Sequence, residues 1–254
     1  MSETRFKNRV VYVTGAGSGI GRGTAQLFAR EGADVFAVDV NADGLNEAVA
    51  EIRAAGGSAV AAPCDVSSFA AVRDSVATAV KTFGGLDILV NAAGVGGFVR
   101  FEDLEEREWH RVIGINLNGA FHTTKAALEQ LLARPGGNIV NVSSIAGLRG
   151  QAYNAPYCAS KAGLLNFTRS IALEFASRGL RANCVCPGGV KTPLIRNFIP
   201  TAEIEPQLIA YSSPPKPGQW GKPEDIANAI TFLASDAARM INGAALVADF
   251  GTTA

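Results

Sequence analysis

The segment Tyr157-Cys158-Ala159-Ser160-Lys161 sets a phenol and an ammonium four positions apart. On a helix, residues i and i+4 share a face. A phenol that ionises near pH ~10 is a poor base at neutral pH, and a neighbouring ammonium favours its phenolate. Such a pair can take a proton from an alcohol or return one to a ketone. A second pattern lies near the start of the chain, Thr14-Gly15-Ala16-Gly17-Ser18-Gly19-Ile20-Gly21. It follows an apolar run and precedes a helical one. Glycines in that position let the backbone approach a pyrophosphate, and the following helix offers unpaired N–H groups and the positive end of its dipole. The spacing is G-x-x-x-G-x-G, with Ile20 where the pattern G-x-G-x-x-G would have its third glycine. Asp39 closes the next apolar run, where a carboxylate can accept hydrogen bonds from ribose hydroxyls. A carboxylate there repels a 2′-phosphate, and Val40, Asn41 and Ala42 bring no compensating cation. Ser18, ahead of Gly19, is not basic either. The expected cofactor is NAD, with NADP disfavoured.

These groups need elements to hold them. Short β-rich apolar runs predict strands over 9–14, 34–39, 58–63, 86–90, 137–142, 181–186 and 244–248. Helical stretches are predicted over about 19–31, 41–55, 67–83, 104–133, 153–177 and 223–235. Strands apolar on both faces and alternating with helices imply an α/β, Rossmann-type doubly wound fold: a seven-stranded parallel sheet with helices on both faces. No linker or internal repeat divides the chain, so one domain is expected. A Pro-rich insertion at about 192–220 interrupts the rhythm and reads as a substrate lid. Its apolar residues are Leu194, Ile195, Phe198, Ile199, Leu208, Ile209 and Tyr211. Gln151 and Asn154, just before Tyr157, are polar candidates for substrate contact.

Composition excludes other chemistries. The chain has 254 residues with 23 basic and 23 acidic side chains, so it lacks the electrostatic footprint of a nucleic-acid binder. No apolar stretch is long enough to span a bilayer or to form a secretory leader at the start, so a cytoplasmic location is expected. Cys64, Cys158, Cys184 and Cys186 lack C-x-x-C spacing, and with two histidines, His110 and His122, no zinc site or other metal site is expected. The 28 glycines exceed the usual share and sit in turns between apolar runs, which suggests close approach of backbone to a ligand. The helical stretches 112–124 and 157–177 are poor in charge, and a helix apolar nearly all round is buried on more than one side. Contact between subunits is the favoured reading for both.

Taken in order, the motifs resemble the short-chain dehydrogenase/reductase family over almost the whole chain. Thr14, Gly15, Gly19 and Gly21 resemble its T-G-x-x-x-G-x-G loop. Asp65-Val66 resembles the pair bordering the adenine, and Asn91-Ala92-Ala93-Gly94 resembles N-N-A-G with Ala in the second place. Asn116 matches the family's helix Asn, Ser144 its Ser, and Tyr157 and Lys161 its Tyr and Lys. Pro187-Gly188-Gly189-Val190-Lys191-Thr192 is similar to P-G-x-V-x-T on the nicotinamide side. The chain end departs from V-D-G-G, with Phe250 in the third place.

The resemblance implies a hydride transfer between NAD(H) and a secondary alcohol or ketone. Tyr157 would be the general acid/base. Lys161 would lower its pKa and hold the nicotinamide ribose, Ser144 would bind the substrate oxygen, and Asn116 would hold a water for proton relay. Gly15, Ser18, Gly19, Ile20, Gly21, Asp39, Asp65, Val66, Asn91, Ala92, Gly94, Pro187, Gly188, Val190 and Thr192 would line the cofactor. The family habit implies a homotetramer or homodimer. An NADPH-dependent 3-oxoacyl-thioester reductase is the alternative, which Asp39 disfavours. A non-catalytic dinucleotide sensor or scaffold is the remote one.

Overall fold

The computed structural model describes residues 4–199, 204–210, 213, 216 and 218–254. Tyr211 of the expected lid lies outside them. Seven strands form one parallel sheet: β1 (Val10–Thr14), β2 (Asp34–Asp39), β3 (Ser58–Pro63), β4 (Ile88–Asn91), β5 (Asn138–Val142), β6 (Arg181–Pro187) and β7 (Ala245–Ala248), in the order β3-β2-β1-β4-β5-β6-β7. Alternate side chains of each strand point to opposite faces, and the two faces have separate cores. Val11, Val13, Val35, Ala37 and Val90 pack on one side, while Val10, Tyr12, Phe36, Val38 and Leu89 pack on the other. Helices α1 (Gly19–Arg30), α2 (Ala42–Ala54) and α8 (Pro223–Ala234) supply the first core with Phe28, Leu45 and Ile230. Helices α3 (Phe69–Phe83), α5 (Gly119–Ala133) and α6 (Ala155–Glu174) supply the second with Val76, Leu131 and Ala172. The doubly wound sheet is as the apolar runs predicted.

One expected element differs. The helical stretch 104–133 is divided: α4 (Glu106–Ile113) passes through a π-helical turn, Gly114–Asn118, into α5. A π turn adds a residue to the helical circuit and re-aims the side chains it carries. Here it carries Asn116, which is 2% exposed. The short helix α7 (Pro206–Ala210) sits in the segment expected to be a lid. Among the described residues, no helix is long and apolar enough to cross a membrane.

Strand order reverses between β1 and β4, so the loops leaving these two strands diverge and open a crevice at the carboxyl edge. Thr14 governs this point. Its buried hydroxyl accepts the N–H groups of Ala92 and Ala93, each at 3.0 Å. Thr14→Val keeps the shape and removes the acceptor, leaving two part-buried N–H groups unpaired. The expected loss is about 1–3 kcal/mol, read as a lowered denaturation midpoint with an unchanged m-value.

Candidate active site

The loop between β1 and α1 is set by contacts that leave no room for a Cβ. Gly15 has φ +67°, and a Cβ on it would lie 2.9 Å from the Ala93 backbone; one on Gly21 would lie 2.1 Å from the Gly15 carbonyl oxygen. This packing brings Ser18, Gly19, Ile20 and Gly21 to the edge of a cleft of about 920 Å³, which Asp39, Asp65, Val66, Ala92 and Gly94 also line. Gly17 faces the other way, and its N–H donates to Asp39 Oδ2 at 2.9 Å. Asn41 N–H donates to Asp39 Oδ1, also at 2.9 Å. Each carboxylate oxygen thus holds one backbone donor and keeps lone pairs for a ligand hydroxyl. Asp65 closes a local turn by accepting from Ser67 N–H and Oγ–H.

A second cavity of about 1000 Å³ adjoins the first, with Ile20, Ala92, Gly94, Thr192 and Leu194 common to both. Pro187, Gly188 and Val190 lie on its wall, as do Ser144, Gln151, Tyr157 and Lys161. Through these shared residues the two form one continuous groove, with the Tyr157 region at one end and Asp39 at the other.

Helix α6 begins with Pro156 in its first turn, a position that Pro's fixed φ favours. Tyr157 follows, and Lys161 lies one turn on. Ser144 leaves β5 in an extended conformation and lines the same cavity as Tyr157, where its hydroxyl favours the phenolate. Burial pushes the Tyr157 phenol up to about 12, against the lowering effect of the Ser144 hydroxyl. Burial also pulls the Lys161 ammonium down to about 8. Its Nζ donates to the Val142 carbonyl at 2.8 Å and lies 5.6 Å from the centre of the Tyr157 ring. The ammonium therefore meets the face of the phenol ring, and desolvation outweighs its charge in setting the phenol's acidity.

Asn116 is held by three hydrogen bonds. Its Oδ1 accepts Val95 N–H at 2.8 Å, and its Nδ2 donates to the Val95 carbonyl at 2.8 Å and to Ser160 Oγ at 3.0 Å. It clamps the strand-end loop onto α6, with one lone pair on Oδ1 left for a water. Asn91 lies behind the groove wall: its Nδ2 donates to Asn141 Oδ1, and its Oδ1 accepts from Thr123. Asn141 in turn donates to Thr168 on α6. Asn154 is completely buried with its Nδ2 on Gln151 Oε1, and it does not reach the cavity wall.

Several contributors escaped the sequence reading. Ser160 bridges Asn116 to the Tyr157 carbonyl, and its place between Tyr157 and Lys161 was the available signal. The Val142 carbonyl and Gly96, where a Cβ would lie 2.6 Å from the Tyr157 ring, carried no signal of their own.

The family model described as enoyl-(acyl carrier protein) reductase matches residues 15–253. The 2-(S)-hydroxypropyl-CoM dehydrogenase 3 of Xanthobacter autotrophicus is 40% identical over 252 residues, covering 98% of this chain and 98% of the relative. Cyclohexanol dehydrogenase of an Acinetobacter species is 39% identical over 246 residues, 96% of this chain and 95% of the relative. The crystal structure of a short-chain dehydrogenase from Mycobacterium paratuberculosis bound to NAD superposes with a TM-score of 0.93 at 33% identity, covering 98% of this chain and 99% of that one. The chain belongs to the short-chain dehydrogenase/reductase family.

The buried ammonium has a measurable consequence. Its folded pKa lies below the ordinary value of 10.5, at about 8, so between those two values the unfolded chain holds more protons. Stability from this group rises with pH across that window and is lost as pH falls through about 8. Compared with Lys161→Met, the ligand-free wild type is expected to gain about 3 kcal/mol between the ends of the window, read from urea denaturation at each pH.

Proposed function

We propose that this chain is an NAD-dependent dehydrogenase that moves a hydride between NAD(H) and a secondary alcohol or its ketone, with Tyr157 as the general acid/base. The observation that carries this reading is the meeting of Ser144, Tyr157 and Lys161 on the wall of one cavity that shares residues with the cleft of the glycine loop and Asp39. Relatives named as dehydrogenases of hydroxypropyl-CoM and cyclohexanol support the same reaction class.

The residues present fit the cofactor. The carboxylate of Asp39, held by the N–H groups of Gly17 and Asn41, would take the adenosine ribose hydroxyls. Gly15, Ser18, Gly19, Ile20 and Gly21 would face the pyrophosphate. Asp65, Val66 and Ala92 would flank the adenine side, and Gly94, Pro187, Gly188, Val190 and Thr192 the nicotinamide side. Asn91 would support this wall from behind. When bound, NAD supplies the hydride acceptor and a positively charged ring; the protein supplies orientation and a proton acceptor.

In alcohol oxidation, Tyr157 Oη would take the hydroxyl proton while Ser144 Oγ donates to the same substrate oxygen and stabilises its developing charge. Lys161 would hold positive charge beside the phenol, and a water on the remaining Asn116 lone pair would pass the proton outward. Reduction runs the same steps backward. A relative named as a 3-oxoacyl-[acyl-carrier-protein] reductase supports a second reading, a 3-oxoacyl-thioester reductase, for which the cofactor would be NADPH. Asp39 opposes it, because a 2′-phosphate beside that carboxylate would have no partnering cation.

The exposed apolar side chains Phe69, Phe121 and Leu173 on α3, α5 and α6, with Phe232 and Val247 on α8 and β7, support a homotetramer, or a homodimer using one of the two faces. The charge balance and the absence of a membrane-crossing helix among the described residues support a cytoplasmic enzyme of small molecules.

Tyr157→Phe tests the reading. The variant is expected to lose turnover by at least about a hundredfold, the scale of a lost general acid/base. It should keep dinucleotide binding, with NAD bound more tightly than NADP in a fluorescence titration. Turnover that survives the change removes Tyr157 from its role, and a preference for NADP removes Asp39 from its own.

A further inference from the structure

The part of the cavity beyond Ser144 and Tyr157 has an unusual make-up. Among the described residues, Lys161 is the only charged side chain on its wall, and that ammonium is committed to the Val142 carbonyl. A carboxylate, phosphate or sulfonate entering here would meet no free counter-ion among the described residues of the wall. Most of the rest of the wall is apolar, led by Phe98, Ile145, Leu194, Phe198 and Trp220, with Ser143, Gln151, Thr192 and Ser213 as its other polar members. Phe198 meets the edge of Tyr157 with ring centres 5.5 Å apart, and Phe98 meets Phe198 at 5.4 Å. Both contacts are locked. Phe98 N–H donates to the Asn197 carbonyl at 3.1 Å, and Gly96 leaves no space between the Tyr157 and Phe198 rings. A stiff aromatic wall of this kind suits a compact ring better than a flexible chain.

Gln151 is a polar exception on this wall. Its Oε1 accepts from Asn154 Nδ2 at 3.1 Å, which fixes which end of the amide faces where. Its Nε2 is not buried and donates to no described residue, so two N–H donors remain for the cavity that Gln151 lines. The segment around it is held firmly. Tyr153 adopts φ +62°, a conformation uncommon for a residue with a side chain, and its carbonyl accepts Val99 N–H at 2.9 Å. Asn154 is fully buried with Oδ1 lacking any described protein partner, a destabilising arrangement that orients Gln151.

We propose that Gln151 is the specificity-determining residue of this cavity, and that the substrate is an uncharged alicyclic alcohol with a second acceptor oxygen, a ring diol or the corresponding hydroxyketone. The ring packs on Phe98 and Phe198. One oxygen lies at Ser144 and Tyr157, and the second accepts from Gln151 Nε2. Asn154 acts as a positioning residue for that amide. The inference rests on the dehydrogenase reading above: the diol's carbinol hydrogen leaves as hydride to NAD, its hydroxyl proton goes to Tyr157, and the products are a hydroxyketone and NADH.

The test compares kcat/KM for cyclohexanol with that for the cis and trans cyclohexane-1,2- and 1,4-diols, using NAD and the full chain. Wild type is expected to favour at least one diol by about tenfold or more, the scale of one hydrogen bond made only by that substrate. Gln151→Leu should collapse that ratio toward unity. Asn154→Ala should lower it too, whereas a merely structural loss would reduce both substrates together. Calorimetric titration of the favoured diol into NAD-loaded Tyr157→Phe should give tighter binding than cyclohexanol, and Gln151→Leu in that background should remove the difference. Equal use of cyclohexanol and all diols by wild type, or a ratio unchanged by Gln151→Leu, overturns the role of Gln151 and leaves the dehydrogenase reading standing. Failure to oxidise any of these alcohols overturns the substrate class, and retained turnover in Tyr157→Phe strikes the dehydrogenase reading itself.

Discussion

The hydroxyl of Thr14 accepting two backbone N–H groups from Ala92 and Ala93 is the constraint on which the site's geometry depends. The loops leaving β1 and β4 diverge where the winding reverses, and this clasp ties them together just past the last ladder pair, Thr14 and Asn91. With that clasp in place, Gly15 sits against Ala93 at a distance no side chain could tolerate. Gly94 is then delivered beside Asn116 and Lys161. One side-chain oxygen thus joins the glycine loop to the Tyr157 end of the groove.

The second layer of the account is electrostatic. Lys161 is buried and Tyr157 half-buried, and loss of water moves the two in opposite directions, the phenol up and the ammonium down. Each shift makes the charged form harder to reach. The groups beside them are neutral, the Ser144 hydroxyl near the phenol and the Val142 carbonyl bonded to the ammonium. Behind them, a chain of buried hydrogen bonds from Thr123 through Asn91 and Asn141 to Thr168 connects α5, the sheet and α6. Buried polar networks satisfied in this way fix relative positions more sharply than apolar packing.

The sheet was legible because period-two burial on two faces gives continuous apolar runs such as Val10–Thr14, which little else produces. Tyr157, Lys161 and the glycine loop were legible because their chemistry depends on spacing along one element. What escaped depends on contacts between elements. The π turn that re-aims Asn116 has helical residues on both sides, so periodicity could not separate it from a long helix. Asn154, a candidate from its position before Tyr157, faces Gln151 and not the cavity. Gly17, which belongs to the glycine pattern, serves Asp39 and does not line the groove. In each case the residue type was visible and its direction was not.

The central claim is that a secondary alcohol gives up its carbinol hydrogen directly to the dinucleotide in this groove. It is tested most directly by supplying wild-type protein with NAD and a cyclic secondary alcohol deuterated at the carbinol carbon, then weighing the reduced cofactor by mass spectrometry. The account predicts reduced cofactor carrying one deuterium. Reduced cofactor without the label, or ketone formed with no reduced cofactor at all, would contradict it.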